Sequence, residues 1–389
     1  MARTADVVRK LFKATVSPDV TNFAIGSPAN ATIPLADICA FSQDILGNEA
    51  TGYKSLQYND PQGTAELREL VAKVLLPRRG ILNADPNKVL ITQGGMETLT
   101  LSCHVFMDPG DVILIEEPSF TQAIETFELF QAKCVGVACD DEGMIIEDLA
   151  AKFEKYNAKI IYVIPSFQNP SGRTTSLERR KALADFVNSH DVILLEDDPY
   201  VELRYFGEDL PAIKSFDKSG NVIFCNSFSK IFSPGMRLGY LYAEEEIVGH
   251  VFDAKTATNS HATVLNQLLA AEYLKSGKFE ENIIKTRELY KHKAEVAANC
   301  IRKYFPEGSH FERPDGGIFF WVKLPEGCMD TTEILEHTAE HKVNFVAGAG
   351  FFVDGQGHDC MRLSFGNFND EQIDDGMHRL GDYIKATRK

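Results

Sequence analysis

The sequence predicts an α/β protein: a large unit on a seven-stranded, mostly parallel sheet flanked by helices, joined to a smaller α+β unit drawn from both ends of the chain. Three observations lead there. Short apolar runs bounded by turn formers recur at residues 88–92, 111–116, 133–139, 159–165, 192–196, 222–227 and 237–243, and such runs read as strands covered on both faces. Helical patterns lie between most of them, at 96–106, 120–131, 146–156 and 176–190, and strands alternating with helices imply parallel pairing. After about residue 245 the pattern changes: long helices, one over 277–304, precede strands at 317–324, 343–346 and 360–365 and a closing helix over 370–386. Residues 46–285 are therefore assigned to the large unit, and 1–45 with 286–389 to the smaller one.

A chain of 389 residues with 44% hydrophobic and 25% charged content has the balance of a soluble enzyme with an ample core. Its formal net charge of -16 opposes a nucleic-acid footprint, which needs clustered Lys and Arg. Eight cysteines are scattered without a CxxC pair, as expected of reduced thiols filling a core. The first ten residues are of mixed charge without an apolar segment, and no run reaches eighteen apolar residues, so the expected location is the cytoplasm.

One segment carries more chemistry than any other: Asn226-Ser227-Phe228-Ser229-Lys230-Ile231-Phe232-Ser233-Pro234-Gly235-Met236-Arg237. It follows an apolar strand and sets one lysine between small hydroxyl residues and an arginine. A lysine in a buried site can lose its proton and attack a carbonyl, which an arginine cannot do, so Lys230 is a candidate Schiff-base residue. The hydroxyls of Ser227 and Ser229 and the guanidinium of Arg237 are groups that hold phosphate. An aldehyde bearing a phosphate is pyridoxal phosphate. Taken alone, the segment also fits a turn with a surface lysine.

Other strand ends supply what such a coenzyme needs. Gln93-Gly94-Gly95-Met96-Glu97 closes the first strand and opens a helix, so unobstructed N–H groups face whatever sits there; glycine at such a turn is also a purely geometric choice. Glu196-Asp197-Asp198-Pro199-Tyr200 ends an apolar strand at the edge where open α/β sheets bind ligands. A carboxylate against a pyridine nitrogen keeps it protonated, since opposite charges about 4 Å apart attract by roughly 4 kcal/mol at an effective dielectric of about 20. The same acids also fit caps of the next turn. Asn169, between Pro165 and Gly172, can donate to a phenolic oxygen and to a substrate carboxylate. Phe120, after Glu117-Pro118-Ser119, can cover a ring face.

Together these segments resemble the fold-type I pyridoxal-phosphate enzymes of the class I/II aminotransferase family, and within it the 2-aminoadipate and kynurenine aminotransferase II subgroup. The resemblance runs from about Val20 to the C-terminus. It implies that Lys230 forms the internal Schiff base and that Asp197 partners the pyridine nitrogen. Tyr200 and Asn169 fall on the residues that hydrogen-bond the phenolic oxygen, and Gly94, Gly95, Met96, Ser227, Ser229 and Arg237 on those that grip the phosphate. Arg362, in Cys360-Met361-Arg362-Leu363-Ser364, matches the arginine that takes the substrate α-carboxylate as a planar pair. Gly26, in Phe23-Ala24-Ile25-Gly26-Ser27-Pro28, matches the loop over that carboxylate. Tyr58 matches a tyrosine that reaches the phosphate of the neighbouring subunit, which implies a homodimer. Arg9 falls near an arginine that meets a distal substrate carboxylate; a surface salt bridge is its other reading. The implied reaction moves an amino group between an L-amino acid and a 2-oxo acid, with glutamate and 2-oxoglutarate as one pair.

The chain departs from the subgroup in two places. Its turn reads Gln93-Gly94-Gly95-Met96 where side-chain hydroxyls or amides are usual, so contact there is expected from backbone, and Phe120 replaces a common tyrosine while keeping the stacking surface. β-Elimination from a cysteine conjugate shares the same residues and is the alternative reaction. A non-catalytic effector-binding version of the fold is the alternative class, opposed by the acidic charge. His337-Thr338-Ala339-Glu340-His341 fits an inverted zinc-peptidase pattern but reads as a solvated face of an amphipathic helix. Ala347-Gly348-Ala349-Gly350 lacks the third glycine of a dinucleotide loop and reads as a turn. Trp321, the one tryptophan, reads as core.

Overall fold

The computed structural model describes residues 19–338 and 340–388. Arg9 lies outside them. After β1 (Thr21–Asn22), the strands β2 (Val89–Thr92), β3 (Val112–Glu117), β4 (Lys133–Asp140), β5 (Gly143–Met144), β6 (Ile160–Val163), β7 (Ile193–Asp197), β8 (Val222–Ser227) and β9 (Gly239–Tyr242) follow in chain order. The last eight form one sheet in the order β2-β9-β8-β7-β6-β3-β4-β5. β4, β3, β6, β7 and β8 are mutually parallel, whereas β9 runs against both β8 and β2. The seven predicted runs are all present. Strand residues such as Val-Leu-Ile-Thr of β2 are buried throughout, as helices on both sides require.

Two details differ from expectation. The sheet has an eighth strand, β5, which pairs with the end of β4 across Asp141 and Glu142; two residues are too few to show as an apolar run. β4 is also not covered on both faces, since Lys133 and Cys139's neighbour Ala138 are exposed while Gly136 and Val137 are buried. Only the two residues of β5 lie beyond it, so β4 behaves as a near-edge strand.

The second body holds β10 (His310–Phe311), β11 (Phe319–Lys323), β12 (Val343–Asn344), β13 (Val346–Ala347) and β14 (Cys360–Ser364). Its four-stranded sheet runs β10-β11-β14-β13, and β12 pairs separately with β1. The predicted single strand at 343–346 is thus two strands serving two sheets. The chain breaks where Asn344 turns its carbonyl to the Phe23 N–H at 2.8 Å. The closing helix Asp370–Ala386 begins with a reciprocal cap between Asn369 and Gln372, an arrangement that contributes about 1 kcal/mol. Its Ile373, Met377, Leu380 and Ile384 complete a core with Phe320, Met361 and Leu363.

The helix Lys278–Tyr304 crosses residue 285, placing Phe279 and Ile283 in the core of the large sheet and Tyr290, Ala294 and Ile301 in the smaller core. The helix Leu35–Gly47 likewise buries Ile38 and Ile45 against the large sheet.

The paired histidines do not share a helix. Thr331–His337 ends at the first of them, and His341 stacks on Tyr383 instead. Among the described residues no group of side chains could hold a metal ion. Trp321 is half-buried rather than core, edge-on to Phe351 at 5.4 Å, because β11 has one face turned toward the aromatic pair Phe351 and Phe352. Among the described residues no helix is long and apolar enough to cross a membrane.

Candidate active site

Strand direction brings distant residues to one edge of the main sheet. β3, β6, β7 and β8 are parallel, so Glu117, Asp197 and Ser227 finish on the same side. β9 runs the other way, so Arg237, which precedes it, arrives where β2 ends. Gly239 pairs with both Thr92 and Ser227. A Cβ on Gly239 would lie 2.8 Å from the Gly94 carbonyl carbon and 2.9 Å from Asn226 O, so only glycine lets this turn close on β8.

Gly94 has φ +85, and a Cβ there would meet Arg237 Nη2 at 2.7 Å. The guanidinium therefore lies against bare backbone, and Nη2 donates to Gln93 O at 3.3 Å. Ser227 Oγ donates to Ser229 Oγ at 2.8 Å and accepts from Ser229 N at 3.1 Å. Gly95 adjoins Asp197, its Cβ position lying 3.7 Å from Oδ1. The Gly94-Gly95 turn, the hydroxyls of Ser227 and Ser229, and Arg237 thus lie together, with the Asp197 carboxylate behind them.

Asp197 is buried, and alternation along β7 separates it from its neighbour. Glu196 points to the opposite face, where it accepts from Ile213 N at 2.7 Å and Lys214 N at 2.8 Å; it is the structural acid of the pair. Asp197 Oδ2 accepts from Tyr162 OH at 2.9 Å and Oδ1 from the Cys225 thiol at 3.6 Å. Register explains both contacts, because Tyr162 pairs with Leu195 and Cys225 with Asp197 itself. Burial pushes the Asp197 carboxyl up to about 6, against the opposing Tyr162 bond. Above that pH it is an anion in a dry setting.

Lys230 sits in the turn after β8, held by Phe228 and Phe232 in the core. It is half-buried. Its Nζ donates to Gly26 O at 2.5 Å and lies 5.7 Å from the centre of the Tyr200 ring. Burial, with the nearby cations Arg362 and Arg237, depresses its pKa from 10.5 to about 8. Tyr200 packs edge-on to Phe319 at 5.5 Å, and burial raises its phenol while the Arg362 charge and, less strongly, the Asn169 side chain oppose that.

Arg362 arrives from β14 of the smaller sheet. It is 7% exposed, and its Nη1 donates to Asn169 Oδ1 at 2.8 Å and its Nη2 to Ala24 O. The plane stacks on Phe319, 4.4 Å from the ring centre. Its Nε is buried without a partner, an orphan donor of the kind that a ligand satisfies. Burial lowers its pKa to about 10, still fully charged at neutral pH. Gly26 is glycine for space, since a Cβ would meet Phe319 at 2.8 Å.

Of the predicted residues, Lys230, Asp197, Tyr200, Asn169, Gly94, Gly95, Ser227, Ser229, Arg237, Gly26 and Arg362 gather at this edge. Met96 and Phe120 are half-buried beside the adjoining core. Tyr58 is on the surface, 86% exposed and edge-on to His261. Sequence reading missed Tyr162, Cys225 and Gly239. A tyrosine inside an apolar strand was a usable signal, because its buried hydroxyl needs a partner.

These groups fit pyridoxal phosphate: a cradle of donors that side chains would fill, an amine of depressed basicity, and a buried carboxylate placed for a ring nitrogen. Fold and edge together define a fold-type I enzyme dependent on that coenzyme. The model of the family "Aminotransferase class I and II" matches residues 18–380, and the chain belongs to that family. It is similar to aromatic-amino-acid aminotransferase 1 of Thermococcus litoralis, 34% identical over 99% of this chain and 93% of the relative. It is also similar to the 2-aminoadipate transaminase of Thermus thermophilus, 35% identical over 98% of this chain and 94% of the relative. The crystal structure of Pyrococcus horikoshii kynurenine aminotransferase in complex with PMP matches at a TM-score of 0.92 and 33% identity, covering 100% of this chain and 98% of that one. The chain is an aminotransferase that uses pyridoxal 5'-phosphate and moves an amino group between an amino acid and a 2-oxo acid.

The depressed lysine predicts a pH dependence. Only the neutral amine attacks an aldehyde, so a pKa near 8 leaves the amine protonated below that pH and free above it. The rate of coenzyme uptake by apoenzyme, followed by absorbance, should climb about tenfold per pH unit below that value and level off above it. A rise that continued to about pH 10, the ordinary lysine range, would contradict the burial assigned to Lys230.

Proposed function

We propose that Lys230 carries the coenzyme and moves the substrate proton, and that Arg362 with Asn169 and Gly26 binds the substrate α-carboxylate. Two contacts carry this reading: Lys230 Nζ bonds Gly26 O, and Arg362 Nη2 bonds Ala24 O. An amine anchor and a carboxylate anchor thus both reach backbone carbonyls of one loop.

When bound, the coenzyme supplies the electron sink that makes the α-carbon acidic. Gly94, Gly95, Met96, Ser227, Ser229 and Arg237 would hold its phosphate, through backbone N–H groups, two hydroxyls and one guanidinium. Asp197 would keep its ring nitrogen charged, Tyr200 and Asn169 would donate to its phenolic oxygen, and Phe120 would cover the ring. With its amine free, Lys230 would be the base that takes the proton from the substrate α-carbon and the acid that returns it. Its low pKa suits both halves of that task.

Glutamate and 2-oxoglutarate are proposed as one pair, supported by similarity to an enzyme named for 2-aminoadipate, also a dicarboxylate. Arg9 remains the candidate for the second carboxylate. A homodimer in which Tyr58 reaches the neighbouring site is supported by surface chemistry. Five large apolar side chains between residues 35 and 58 are exposed, among them Leu35, Tyr53 and Leu56, a density that marks an interface. Eight free cysteines support a reducing compartment, the cytoplasm.

A donor screen tests the reaction. Each amino acid alone should convert the enzyme to its pyridoxamine form in one half-turnover, and 2-oxoglutarate should reverse it with ping-pong kinetics. Release of pyruvate and ammonia from a cysteine conjugate without any oxo acid would instead favour β-elimination.

A further inference from the structure

We infer that Lys255 and Glu97 are positioning residues for the coenzyme phosphate, pinning the bare Gly94-Gly95 turn from behind; this rests on the phosphate roles proposed above. Lys255, on the helix Glu245–Thr258, is 0% exposed. Its ammonium spends all three donors internally, on Glu97 Oε1 at 3.0 Å, Glu97 Oε2 at 2.8 Å and Asn259 Oδ1 at 3.0 Å. Asn259 donates to Glu97 in turn.

Glu97 lies in the first turn of the helix Gly95–Phe106, and its Oε2 accepts the Gln93 N–H at 2.6 Å. Gln93 is thereby gripped on both sides, its N–H by Glu97 and its carbonyl by Arg237 Nη2 at 3.3 Å. Two consecutive glycines lose more freedom on ordering than any other pair, and this turn has no side chain at Gly94 or Gly95 with which to fix itself. The Lys255–Glu97 pair holds it from the far side.

Charge leads to the same assignment. A carboxylate in the first helical turn beside a phosphate site repels the dianion unless it is neutralised, and Lys255 supplies the neutralising charge. A buried ion pair is weak grounds for stability, since apolar replacements are often neutral; holding the turn in place is a role that apolar residues could not fill.

The test compares pyridoxal phosphate with pyridoxal, which lacks the phosphate, as titrants of apoenzyme. Lys255→Met should weaken pyridoxal phosphate binding by about ten- to a hundredfold and change pyridoxal binding by less than about twofold. Equal losses for both compounds, or an unchanged affinity for pyridoxal phosphate, would overturn the inference. If Lys255→Met does not fold, the paired variant Glu97→Leu with Lys255→Met leaves no unpaired charge and is read the same way. Arg237→Ala separates the two levels. If it spares pyridoxal phosphate affinity, the phosphate reading itself fails. If it weakens binding while the Lys255 variants do not, the positioning role alone falls.

Discussion

Replacing Lys230 with Ala is expected to cut turnover by about 10³-fold or more, the contribution of a positioned acid–base group together with a covalent anchor. The turn that carries Lys230 is fixed by buried Phe228 and Phe232, so the substitution removes an amine without removing the fold. Asp197, Arg237 and the Gly94 turn remain, and coenzyme should still bind. What disappears is the covalent link: after borohydride and denaturation, native enzyme keeps its chromophore and the variant releases it. Turnover within a few-fold of normal would refute the assignment.

Arg362→Lys is expected to act on the substrate alone. Lysine keeps the charge but not the planar fork, and it forfeits the 2.8 Å bond to Asn169 and the unpartnered Nε. Charge-assisted hydrogen bonds contribute about 1.5–3 kcal/mol, so kcat/KM for amino acids should fall by about a hundredfold. Coenzyme uptake and borohydride trapping should stay normal, which separates this variant from the Lys230 one. Half-reaction rates against donor concentration decide it, and an unchanged kcat/KM would remove Arg362 from the carboxylate site.

The main sheet was legible because its strands are apolar runs long enough to stand out, and their polar endings are where ligands bind. β5 was not, being two residues whose pairing depends on a turn. The split between β12 and β13 was hidden because Val343 to Ala347 is apolar throughout except Asn344, and only the neighbouring sheets say which residue belongs to which. Asp197 was visible as an acid ending an apolar strand, but its partners were not. Tyr162 and Cys225 reach it through register between strands, a tertiary property with no local signature. Arg362 lies in an ordinary-looking strand and was found through family resemblance alone. Glu97 and Lys255 belong to separate helical patterns, where a buried lysine looks like any other before packing is known.

The Lys230 turn is anchored in the core of the large sheet, and Arg362 lies in a strand of the smaller one. On the proposed roles, an amino acid held at both ends would be a tie between two bodies, gripped firmly only while both stay folded and correctly apposed. Loosening of the smaller body would free the acid end and stop exchange of nitrogen, yet leave the yellow prosthetic group seated on an intact platform.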